Sequence, residues 1–151
     1  MAIKAGMQRR FSLMVFGWSQ ILMDLQPLFV LLTGKGELHG FSHTYVGATL
    51  IALISAISGK YLGEVGLKII HQRHYLPIRW PVAWMSACVG TYSHIVLDSI
   101  MHTDLKPLYP FSQANGLLGF ISIEALHGLC IGSGLIGVVI FLLLEKRNPR
   151  V

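Results

Sequence analysis

The stretch Trp80-Pro-Val-Ala-Trp-Met-Ser-Ala-Cys-Val-Gly-Thr-Tyr-Ser-His94-Ile-Val-Leu-Asp98-Ser-Ile-Met101 decides how the rest of the chain is read. It is about as long as a bilayer-crossing helix needs to be, roughly 20 residues. It contains no Lys or Arg, and its ionisable side chains are His94 and Asp98. Spaced four apart, those two lie on one face of a helix. A carboxylate and an imidazole on an otherwise apolar helix are expensive in lipid, so they face a protein interior and mark a function. The segment therefore predicts a helix inside a helical membrane bundle, with its chemistry on one stripe.

Working outward, three more apolar stretches lie at about 11–33, 44–58 and 117–144, beside about 80–101 for the first. They are separated by turn-forming segments such as Thr33-Gly34-Lys35-Gly36 and Lys106-Pro107-Leu108-Tyr109-Pro110. Composition agrees. The chain has 151 residues, 53% hydrophobic and only 13% charged, with a mean hydropathy of +0.59. Soluble domains carry about 25% charged residues, so an ordinary cytosolic enzyme, a disordered chain and a disulfide scaffold are excluded. Cys88 and Cys130 both sit in apolar runs and read as small core residues, not a bridge. The first stretch contains Asp24 and is not followed by a small-residue cleavage site, so it reads as a span, not a signal peptide. The segment Tyr61 to His71 reads as a short amphipathic helix after the second span, continuing the second helix along the interface. The expected architecture is all-α: an integral membrane four-helix bundle forming one transmembrane domain over residues 1–151.

The charges order the spans. Lys4, Arg9 and Arg10 precede the first, Lys60, Lys68, Arg73 and Arg79 lie between the second and third, and Lys146, Arg147 and Arg150 follow the fourth. The other two loops are neutral, with Lys35 against Glu37 and Asp104 against Lys106. By the positive-inside rule both termini are expected to be cytoplasmic. The same clusters anchor the chain at the membrane and do not form a face for nucleic acid.

Within this frame the remaining ionisable residues gather at one depth. Counting about 1.5 Å per helical residue, Asp24, His94, Asp98, Glu124 and His127 all fall in the outer half of the membrane. His39 and His43 stand at the outer entrance of the second helix, four apart, although Gly40 between them weakens a helical reading. His102 continues the His94–Asp98 stripe to the outer surface, and Asp104 reads as loop punctuation or a helix cap, with orientation of a neighbouring ligand as the alternative. Glu124 and His127, three apart, have the spacing by which helix bundles present carboxylate and imidazole to a metal. A pairing of those two with each other alone stands beside that reading. Such a mixed nitrogen and oxygen donor set suits zinc, manganese or iron better than calcium. Gly128, Gly132, Gly134 and Gly137 are expected to permit close helix contact.

Ser93-His94-Ile-Val-Leu-Asp98 followed by Asp104-Leu-Lys-Pro107-Leu108-Tyr-Pro110-Phe111 resembles the signature of the YdjM-like membrane-bound metal-dependent hydrolases. Ile21-Leu-Met-Asp24-Leu-Gln-Pro27 and His39-Gly-Phe-Ser-His43-Thr44 resemble that family's aspartate and histidine segments, in the same order. The likeness covers about the first three spans. It implies a divalent metal, zinc first and manganese or iron next, held by Asp24, His39, His43, His94 and Asp98. Two departures stand out: Gln26 occupies the place of a second aspartate, and the histidine pair is one residue closer than usual.

Together these readings lead to a hydrolase acting on an ester or phosphodiester of a lipid or lipid-linked substrate at the outer leaflet. Glu124 would serve as general base or bridging ligand, with His127 orienting it. The expected location is a bacterial inner (cytoplasmic) membrane, with the site on the periplasmic or outer side. Membrane lipids are its neighbours, and an oligomer is compatible with it. The rivals are a small transporter or channel for protons or metal ions, a haem-binding protein using His94 and His127, and a non-catalytic membrane partner.

Overall fold

The structure, a computed structural model, describes residues 10–147. Of the basic residues behind the expected orientation, Lys4, Arg9 and Arg150 lie outside that range. The described residues contain four α-helices, two short 3-10 turns and no strand. Helix α1 spans Leu13–Thr33, α2 Tyr45–Ile69, α3 Trp80–Met101 and α4 Ile123–Arg147.

Local signals explain most of these boundaries. Ser12 caps α1 by accepting from the Val15 N–H, and its own N–H donates to Ser86 Oγ at 2.8 Å, tying the start of α1 to α3. Gly34, left-handed at φ 67°, ends α1 by returning its N–H to the Val30 carbonyl. Thr44 caps α2 through a 2.9 Å bond from the Gly47 N–H. Pro81 lies in the first turn of α3, where a missing N–H removes nothing.

Helices α1, α2 and α3 pack on one another. Val15, Ala52, Ala56, Ala83 and Ala87 form one buried cluster, and Met23, Ala48 and Ile95 form a second. Alanines at these contacts let the helix backbones approach closely, as membrane helices require. Ser19, Ser55, Ser86, Thr91 and Ser99 are buried among them.

Three helical segments are long and apolar enough to cross a membrane: Leu13–Thr33, Tyr45–Ile69 and Ile123–Ile140. Their outward side chains, including Leu31, Leu32 and Leu135, are exposed, and the chain is a membrane protein. Helix α3 does not join that set, because its serines, Thr91, His94 and Asp98 dilute its hydropathy. Those residues need not suit lipid, since α3 packs against both α1 and α2.

Three expectations change. The bundle has three helices, because α4 makes no substantial contact with α1, α2 or α3. Among the described residues nothing lies within 4 Å of where a Cβ would stand at Gly128, Gly132, Gly134 or Gly137, so these glycines serve no helix contact there. Cys130 is exposed on α4, not a core residue, while Cys88 is partly buried. The cause is common to all three: hydropathy fixes that a segment wants apolar surroundings, and lipid supplies them as well as protein does. The expected helical continuation after the second span is present and belongs to the same helix. Helix α2 runs unbroken to Ile69, because Gly63 lets its second half lie against α1. A Cβ there would stand 3.1 Å from both Met14 Cβ and Ile78 Cδ1.

Candidate metal centre

Helix α3 brings its polar stripe to the end of the bundle where α1 finishes and α2 begins. His94 and Asp98 stand one turn apart, and their Nε2 and Oδ2 atoms are 3.2 Å apart. From α1, Asp24 Oδ1 comes to 3.4 Å from the same His94 Nε2. His43, at the end of the 3-10 turn Phe41–His43, places Nε2 3.4 Å from Asp98 Oδ2. The segment from His39 to His43 is thus not α-helical, yet the two rings lie only 5.0 Å apart, edge to face. Asp24, His43 and His94 form one group whose ligand atoms all lie within 4.8 Å of one another, and His39, His43 and Asp98 form another.

Hydrogen bonds from behind aim the imidazoles. His94 Nδ1 lies 2.9 Å from Gln20 Oε1. A carbonyl oxygen only accepts, so Nδ1 carries a proton, and this bond turns Nε2 toward Asp24 and Asp98. His43 Nδ1 is engaged by Ser42 Oγ at 2.8 Å. Metal-bound histidines show this pattern, with the remote nitrogen held by an oxygen.

The donor set fits a cation. His43 is 1% exposed and its Nε2 has no hydrogen-bond partner. An orphaned buried nitrogen of this kind is rare and calls for an explanation. Atoms bound to one tetrahedral ion at about 2.0–2.1 Å stand about 3.3 Å from each other. The three nitrogen–oxygen separations of 3.2, 3.4 and 3.4 Å lie near that edge, at or beyond the long end of ordinary hydrogen bonds. Two imidazoles and two carboxylates suit zinc, manganese or iron.

Two neutral residues build the site's walls. Gln26 accepts from the Ser42 N–H at 3.0 Å and donates to the Glu37 carbonyl at 3.0 Å. An aspartate could not donate, so the amide at this position holds the loop that carries His39 and His43. Gly90 is where α1 and α3 come closest to the site. A Cβ there would collide with Ser19 Oγ and lie 3.0 Å from Gln20 Nε2.

Asp24, His39, His43, His94 and Asp98 are therefore brought together. Glu124 and His127 are not: both are exposed at the start of α4, and neither belongs to any group of converging ligand atoms among the described residues. Their computed depth is no guide to direction, because a shared height leaves the helix free to face elsewhere. Conversely, His102 and Asp104 join the assembly at its outer edge. His102 was signalled by the stripe, whereas Asp104 lies in a loop where no periodicity points at it. Gln20 also had a signal, lying one turn from Asp24 on the same face of α1.

Replacing Gln20 by leucine should weaken zinc binding by about 10–100-fold, the usual effect of losing such an outer hydrogen bond. Competition titration with a chromophoric chelator would measure it. Unchanged affinity would show that Gln20 does not orient His94. No family model, curated protein or solved structure matches the chain.

Proposed function

We propose that the protein is a membrane-bound metal-dependent hydrolase that cleaves an ester or phosphodiester of a lipid or lipid-linked substrate at the outer leaflet. The observation that carries the reading is the unpartnered His43 Nε2, buried beside Asp98 within the convergence of His94 and Asp24. Asp24, His43, His94 and Asp98 would hold the ion, with His39 beside them. Such a cation lowers the pKa of a water toward about 7 and polarises a carbonyl or phosphoryl oxygen. Glu124 has no role in this reading, because it does not reach the cluster. Asp24 is 60% exposed, so its carboxylate opens out of the bundle as well as toward His94.

Two grooves flank the cluster and support a lipidic substrate. One, of about 390 Å³, runs along α1 and is lined by Asp24 with Ile21, Leu25, Pro27, Leu28 and Leu31. It offers apolar walls to an acyl chain at the edge of a candidate ligand. The other, of about 380 Å³, is bordered by His39, Glu37, Thr44, Lys106 and Tyr109, and suits a polar head. The resemblance to the YdjM-like hydrolases points the same way. In this reading α3 crosses the membrane enclosed by α1 and α2, both termini are cytoplasmic, and the site opens to the periplasmic side of a bacterial inner membrane.

The test is hydrolysis by the purified protein in nanodiscs of phosphatidylglycerol and phosphatidylethanolamine, loaded with zinc. Release of a water-soluble head group or a free fatty acid, stopped by chelation and restored by zinc, is the expected result. Metal-dependent uptake of zinc into sealed vesicles without any hydrolysis would replace this reading by transport.

A further inference from the structure

We propose that His39, His102 and Asp104 form a second divalent-cation site at the outer mouth of the first. The inference goes beyond hydrolysis and stands or falls separately from it. The three side chains offer ligand atoms that lie within 4.8 Å of one another. They come from three places in the chain: the residue before Gly40, the C-terminal end of α3, and the loop that follows. Asp104 presents both carboxylate oxygens to His39 Nδ1, at 2.9 and 3.0 Å. The His39 and His102 rings lie 4.1 Å apart between centroids, inclined by 31°.

The scaffold holds these positions without help from a ligand. The His102 N–H returns to the Asp98 carbonyl at 2.9 Å. Asn115 Nδ2 donates to the carbonyls of Ser99 and His102, at 2.9 and 3.3 Å. Leu105, next to Asp104, is 1% exposed, and the Pro107 carbonyl accepts from the Tyr45 N–H at 2.9 Å. The loop is thus pinned on both sides of Asp104, which keeps its donors pre-organised.

Two imidazoles and one carboxylate form a set that selects a transition-metal ion such as zinc, manganese or ferrous iron over calcium or magnesium. Asp104 is 51% exposed while His39 is 10% exposed, so the set is open on the solvent side. Three protein ligands with an open position are the pattern of ions that act on a substrate, whereas structural ions are fully enclosed. His39 also borders the inner group through His43 and Asp98. Two ions would therefore be neighbours, the arrangement that clamps both sides of a phosphodiester displacement.

The experiment is metal counting. The wild-type protein, purified in detergent, is loaded with zinc, desalted and analysed by inductively coupled plasma mass spectrometry, alongside H102Q, D104N and H94A. The expected result is two equivalents in the wild type and one in both H102Q and D104N. Elution as a single species and an unchanged circular dichroism spectrum establish that each variant is folded. A single wild-type equivalent that survives in H102Q and disappears in H94A overturns the second site and leaves the inner one standing. A single equivalent lost in H102Q but kept in H94A does the reverse. Loss in D104N with none in H102Q also overturns the proposal, because Asp104 then acts only by orienting His39.

Discussion

Asp98→Ala is expected to strip the inner ion from the protein. Asp98 Oδ2 is the one carboxylate oxygen placed against both imidazoles, 3.2 Å from His94 Nε2 and 3.4 Å from His43 Nε2. Without it the two imidazoles keep their hydrogen-bonded backing from Gln20 and Ser42. The remaining carboxylate of the group, Asp24, touches His94 and is mostly exposed. Losing a direct ligand exceeds the effect of losing an outer hydrogen bond, so affinity should fall by on the order of 100-fold or more. Inner-site occupancy after desalting should drop to background. His94→Ala should do the same, since it removes the nitrogen shared by Asp24 and Asp98. Asp98→Asn keeps the volume and one carbonyl acceptor but removes the charge, and should also fail to retain zinc. Full inner-site occupancy in both alanine variants would remove the metal reading from these residues.

Why His94 and Asp98 were legible while Asp104 was not follows from what each signal measures. The first two interrupt an apolar segment, where any charge is conspicuous and the spacing of four fixes their common face. Met101 closes α3 where the turn signals begin, and Trp80 opens it beside a helix-starting proline, so both ends could be placed from the sequence. Asp24 stands out by the same contrast, and His43 by its spacing of four from His39 at the entrance of the second helix. Asp104 sits among turn-forming residues, where an aspartate is ordinary. What brings it to His39 is the fold-back of the loop through Asn115 and Pro107. Gln20, Ser42 and Gln26 are neutral, and a neutral polar residue in a helix or turn has many uses. For α4 the failure is different: its apolar character was correctly read, but depth and hydropathy carry no azimuth. A shared height expected from residue counting therefore does not bring Glu124 and His127 to the cluster. The continuation of α2 past Ser58 is legible as helix, although Lys60, Glu64 and Lys68 look interfacial. Lys60 and Glu64 in fact pair with each other on the helix, and Glu64 also accepts from the Ile78 N–H at 3.1 Å.

The same contrast between α3 and α4 yields the second large effect, on a glycine. Gly90→Val should both destabilise the bundle and empty the inner site. At position 90 a Cβ would collide with Ser19 Oγ and stand 3.2 Å from the Phe16 carbonyl oxygen. The serine hydroxyl is itself committed to that carbonyl, at 2.6 Å, so it has little freedom to turn away. The carbonyl is backbone, and relief requires α1 to move off α3. Overpacking of this kind costs about 1–3 kcal/mol. The displacement would carry Gln20 away from His94 and take Asp24, one turn further along α1, out of reach of the same imidazole. Zinc affinity should therefore fall by at least about 10-fold, as when an outer hydrogen bond is lost. Gly137→Val on α4 is the matched control, because nothing lies within 4 Å of a Cβ at that position. It should leave the unfolding midpoint in a detergent denaturation series and the zinc titration unchanged. If Gly90→Val melted and bound zinc like the wild type, α1 and α3 could not be as close as the Gln20–His94 hydrogen bond requires. The route from helix packing to the metal centre would then fail at its first step.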